Sequence, residues 1–235
     1  RKFSKTKIEK PQDIKMHRVG SPIKRVECDR MKDSHWLSAI KRYDNKEERR
    51  YGRDFIHGGA RELANELQEA TKKDPARFSD LSMNILDMAH HIYIKNILWG
   101  LAEAGAPSDE SLLQAVKRAH KHSEKPFGGD ITRLLGKHPH IAADAEILEM
   151  LIWYALNGEA NGSEDLDLKG IESETITIDT LLQRGDSVLI RGINGTRGSA
   201  WEALGSVMWK VPEIESRVWE AIEIALEKEK LISVR

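Results

Sequence analysis

The 235 residues carry 37 Lys+Arg against 38 Asp+Glu, enough chain for a real core and too little net charge to draw it to nucleic acid or an anionic membrane. One cysteine, Cys28, excludes an intrachain disulfide and any multi-cysteine zinc or iron–sulfur site. Six tryptophans within only 6% aromatics, beside 32% charged residues, fit a charged-surface helical protein better than a β-sandwich.

Residues 1–32 have little periodicity and are broken by Pro11, Gly20 and Pro22, so they read as an extended basic connector. Cys28 lies there between Glu27 and Asp29, with no base or orienting group in view, and reads as an inert thiol. From residue 33 to 156 apolar residues recur at i, i+3, i+4 and i+7, the stripe of an amphipathic helix. Trp36, Leu37, Ile40 and Tyr43 begin it, and Leu63, Ala64, Leu67 and Ala70 follow. Asp74-Pro75 is a capping residue with proline at the first helical position. Ile94, Ile97, Leu98 and Leu101 form the next stripe, which Gly105 is placed to end. Ser108 caps a helix carrying Leu112, Ala115, Val116 and Ala119, with Asp109 and Glu110 in its first turn. Leu148, Leu151, Ile152 and Ala155 complete this helical domain, and Gly158 closes it.

Residues 157–174 are polar, acidic and rich in turn formers, and read as a flexible loop. Thr175-Ile176-Thr177-Ile178 alternates like a strand but stands alone, and is taken as a lead-in to a helix. Residues 175–235 then hold Ala200, Ala203, Leu204 and Val207, followed by Pro212 opening a helix with Ile214, Val218, Ala221, Ile222 and Ala225. The fold expected is all-α, of stacked helical hairpins, with eight or nine helices in a HEAT- or armadillo-like solenoid. Arg197 precedes a small-residue helix at Gly198 and Ala200, and Arg235 follows 38 residues later, close to the roughly 40-residue period of such repeats. Asn194, Arg197, Gly198 and Ala200 are therefore expected to be a structural motif, with the Arg197 guanidinium tying helix ends together. The start at Arg1-Lys2-Phe3 and the stop at Ser233-Val234-Arg235 read as a piece of a longer cytoplasmic protein.

Several stretches in order carry a resemblance. They are Ser21-Pro22-Ile23 with residues 31–43 (Met31-Lys32-Asp33-Ser34-His35-Trp36-Leu37 and on to Tyr43), Gly58-Gly59-Ala60-Arg61-Glu62-Leu63-Ala64, Lys73-Asp74-Pro75-Ala76-Arg77-Phe78 and, after Leu151-Ile152-Trp153-Tyr154-Ala155, residues 192–204 (Gly192-Ile193-Asn194-Gly195-Thr196-Arg197-Gly198-Ser199-Ala200-Trp201 and on to Leu204). The set resembles the helical region that follows the ATPase module in bacterial NACHT-like STAND NTPases, several of which are antiviral defence proteins. The resemblance implies a helical sensor that binds a trigger, with ATP and Mg expected only in an upstream module and none bound by this segment. It also implies a parent protein able to oligomerise.

The possible active sites are thin. A phosphate loop would need Gly-Lys-Ser/Thr, and the nearest stretch, residues 192–199, has glycines but no such lysine. His90-His91 and His138-Pro139-His140 follow no metal-ligand spacing. No serine sits in a nucleophile-elbow glycine pattern. Trp36, Trp99, Trp153, Trp209 and Trp219 fall near apolar stripes and are expected in the core or between helices, whereas Trp201 stands one residue off its stripe and is the candidate partner contact.

The leading expectation is a non-catalytic sensor or scaffold segment that recognises a protein trigger and relays it to the rest of its own chain. Two alternatives stand beside it. Residues 1–53 hold 17 Lys+Arg against 8 Asp+Glu, which could bind nucleic acid with salt-sensitive affinity. A HEAT-repeat scaffold with no ATPase attached is the other. The acidic excess of residues 141–183, 10 Asp+Glu against one Lys, offers an internal partner for that basic stretch.

Overall fold

The computed structural model describes residues 19–44, 58–158 and 195–228. Among them are ten α-helices: α1 (Arg25–Cys28), α2 (Asp33–Arg42), α3 (Ala60–Lys73), α4 (Pro75–Met83), α5 (Ile92–Glu103), α6 (Asp109–His120), α7 (Gly128–Lys137), α8 (Ala145–Asn157), α9 (Thr196–Lys210) and α10 (Glu215–Lys228). The chain is all-α over these residues.

Local chemistry sets the helix starts. The Asp74 carboxylate accepts from the Arg77 amide at 3.3 Å ahead of Pro75. Ser108 Oγ accepts from the Ser111 amide at 3.2 Å, and Asp144 Oδ1 accepts from Glu146 and Ile147 at 2.9 and 3.2 Å. Each cap satisfies N–H groups that the first helical turn cannot.

Helices pack on their second neighbours, and matching ends meet. Glu103 at the end of α5 takes Gln68 and Lys72 from the end of α3 at 3.1 and 2.7 Å. The Trp99 indole of α5 donates to Asp130 of α7 at 2.7 Å, and Arg133 lies 3.8 Å from Glu103. Thr196 opens α9 beside Gly128, which opens α7, while Gly136 faces Ala203 further along. The even helices repeat this. Ser79 of α4 donates to the Ser111 carbonyl at 2.7 Å and Arg118 of α6 donates to the Ile85 carbonyl at 2.7 Å. Lys117 of α6 meets Glu146 of α8 at 2.6 Å, and Arg217 of α10 meets Glu149 of α8 at 2.7 Å. Helices α3, α5, α7 and α9 thus follow one another in one row of contacts, and α4, α6, α8 and α10 in another.

The stack begins with short members. Arg25 and Asp29 around α1 pair with Glu69 and Lys73 of α3, and Asp33 of α2 pairs with Arg77 of α4. A ladder of ion pairs, Arg25–Glu69–Lys72–Glu103–Arg133, runs across α1, α3, α5 and α7. These charges are partly exposed and screened, so they set register more than stability. One buried cluster lies between the rows, from Trp36 through Leu67, Leu101, Leu135 and Leu151 to Leu204 and Ala221.

The structure adds four points to the sequence reading. The connector expected over residues 1–32 contains α1, and Cys28 is buried in the core, where burial raises its thiol pKa to about 11. α7 was not visible as a helix, because Gly128-Gly129 at its start imitate a turn. α4, α6 and α8 start at residues 75, 109 and 145, spacings of 34 and 36. The helices at the C-terminal end continue the same stack, since α9 packs against both α7 and α8. Arg235, Asn194, most of the acidic loop and the strand-like 175–178 stretch lie outside the described residues.

Candidate functional site

The tryptophans divide in a way that the apolar stripes did not foretell. Trp36 is fully buried and stacks edge-on against Phe78 at 5.8 Å, as expected. Trp153, Trp209 and Trp219 are not core: they are 40%, 85% and 51% exposed. Trp209 follows Val207 by two residues, which turns it about 200° around the helix from that buried valine. This signal was present in the sequence. Trp201, the expected partner contact, is partly buried against the core, and its Nε1 is a buried donor with no acceptor among the described residues.

Trp209 forms one wall of a groove of about 540 Å³ between α9 and the end of α7. Glu202, Gly205, Ser206 and Trp209 occupy one face of α9 at i, i+3, i+4 and i+7, and Lys210 borders it. Gly136 and Pro139 form the opposite side.

The glycines separate packing from function. A Cβ on Gly128 would stand 2.6 Å from Thr196 Cγ2 and 2.8 Å from the Tyr154 ring, so glycine there lets α7, α8 and α9 close up. A Cβ on Gly100 would stand 2.8 Å from the Gln68 carbonyl oxygen. Gly205 sits in the middle of α9, and a Cβ there would meet nothing within 4 Å. Its helical cost, about 0.5–1 kcal/mol relative to alanine, has no return in packing against the described residues.

A second aromatic site shows how this molecule satisfies an indole at its surface. The Trp99 ring carries the Arg133 guanidinium at 4.7 Å and the Lys95 ammonium at 5.0 Å, while its N–H is held by Asp130. Burial raises the Asp130 pKa, against the lowering pull of Lys95. Trp153 has Lys125 over its ring at 6.0 Å.

The histidines are placed structurally. His120 Nδ1 shares a 3.1 Å hydrogen bond with the Tyr154 hydroxyl, His122 bonds the Asp87 carbonyl at 3.2 Å, and His140 meets Asp109 at 2.9 Å. Among the described residues, no group of three or more His, Cys, Asp or Glu side chains is placed to hold a metal ion. Arg197 and Gly198 lie partly buried in the first turn of α9, Ala200 is buried, and desolvation draws the Arg197 pKa below its ordinary value. Arg25, in the described part of the basic stretch, is engaged with Glu69. No helix among the described residues is long and apolar enough to cross a membrane. Compared with known proteins, no family model, curated protein or solved structure matches this chain.

Proposed function

We propose that this chain is a non-catalytic helical sensor or scaffold segment that recognises a protein trigger through the groove walled by Trp209. The observation that carries the reading is a tryptophan 85% exposed beside a helix glycine that no packing among the described residues requires. Tryptophan is among the residues most enriched in binding hot spots. In this reading the hairpins form an α-solenoid, whose long surface and nearest-neighbour contacts suit partner binding. Arg197 and Ala200 then serve hairpin packing rather than a ligand. The resemblance of residues 31–43, 58–64, 73–78 and 192–204 to the helical region of STAND NTPases extends the proposal. It makes this segment the trigger-binding part of a larger cytoplasmic antiviral-defence ATPase.

Selection of a random-peptide phage library on the folded chain tests the reading. Enriched peptides should lose most of their binding to Trp209→Ala and to Gly205→Leu, two changes at sites that the core does not use. Selection that enriches nothing, or peptides indifferent to both variants, overturns it.

A further inference from the structure

We infer that the groove reads an arginine: it takes an extended segment of a partner protein whose guanidinium lies over the Trp209 ring and pairs with Glu202. The inference rests on the recognition reading above and names its chemistry. Trp99 supplies the internal precedent. There, two cations cover one indole and a carboxylate sits at its edge. Trp153 is likewise covered by Lys125. Trp209 is the most exposed of the six tryptophans, and among the described residues no cation lies over its ring.

The other half of the arrangement is present. Glu202 stands on the same face of α9, two turns or about 10 Å from Trp209, and no ion pair among the described residues engages it. Between them Gly205 and Ser206 leave the helix surface low, and Gly136 keeps the facing side low as well. A planar guanidinium fits that slot better than an ammonium, because it can stack flat on an indole while its edge donates to a carboxylate. The glycines admit the backbone that bears it. Lys210 at the other end of the groove favours an acidic side chain further along the same segment.

The test uses the 235-residue chain labelled with nitrogen-15, whose indole N–H signals are resolved one by one. Loss of a signal in Trp209→Phe identifies Trp209. The probes are acetyl-Gly-Ser-Arg-Pro-Gly-Ser-Glu amide and the same peptide with citrulline, which keeps the shape of arginine and removes its charge. The arginine peptide should move the Trp209 signal, and the citrulline peptide should bind about fivefold or more weakly, the factor expected of a roughly 1 kcal/mol cation–π contact. Glu202→Gln should weaken the arginine peptide by a similar factor and leave the citrulline peptide unchanged. Equal shifts from both peptides overturn the arginine inference while leaving peptide recognition standing. A Trp209 signal that moves only with phage-selected peptides lacking arginine does the same. If the phage selection also fails, the recognition reading itself falls.

Discussion

Arg217 of α10 grips both carboxylate oxygens of Glu149 on α8, Nε to Oε1 at 2.7 Å and Nη2 to Oε2 at 2.9 Å. The fork also reaches Glu220 through Nη1 at 2.6 Å. These bonds hold the Glu149 carboxyl below its ordinary pKa and tie the last described hairpin to the stack. The two side chains are 40% and 53% exposed, so water screens much of the attraction. A double-mutant cycle with Arg217→Ala and Glu149→Ala, measured by chemical denaturation, should return a coupling of about 0.5–1 kcal/mol. Additive losses would show that the pair contributes nothing.

Leu151 is fully buried at the centre of α8. Its truncation to alanine should cost about 2–5 kcal/mol, the range for leucine removal from a packed interior. An unchanged melting temperature would contradict the packing of α8.

Two glycines should respond in opposite senses. Gly128→Ala forces a methyl against the stiff Thr196 side chain and the buried Tyr154 ring, so it should destabilise by about 1–3 kcal/mol. Gly205→Ala adds a methyl in open space on a helix and should stabilise by about 0.5–1 kcal/mol. Thermal melts of the two variants decide both. A stabilised Gly128→Ala would show that α7, α8 and α9 do not meet as described.

Acid should weaken the fold before its carboxylates titrate. His120 is held below the ordinary value near 6.5, first by burial and then by the charge of Lys125. His138 is lowered in the same order of causes, by burial and then by His140. The folded state resists protonation of both, so the unfolded chain binds more protons as pH drops below about 6.5. Stability should therefore fall as pH drops through about 6.5 and below. Asp29, Glu69, Glu103 and Glu149 have lowered pKa values, and their losses come at more acid pH. In a His120→Gln, His138→Gln double variant the melting temperature should vary less over this window. An undiminished slope would contradict the burial of the two rings.

Most helices were legible because two local signals agreed. In α6 an apolar stripe follows a capping serine, α4 opens on Asp74-Pro75, and the structure shows both caps bonded. α1 and α7 were not legible, for physical reasons. α1 is a single turn whose Cys28 is buried in the core, and α7 opens with Gly128, whose reason is Thr196, 68 residues away along the chain. The candidate groove was partly legible. Counting from Val207 puts Trp209 on the far side of α9, but only the fold brings Gly136 and Pro139 up beside it. The sequence singled out Trp201 instead, one residue off the stripe, which the fold leaves partly buried.

The most direct measurement is hydrogen exchange of the chain with and without a phage-selected peptide, read by mass spectrometry. The account predicts slowed exchange confined to the end of α7 and residues 202–210 of α9, lost in Trp209→Ala. Protection centred elsewhere, for example on the exposed Leu86 and Met88 between α4 and α5, or protection that survives Trp209→Ala, would contradict it.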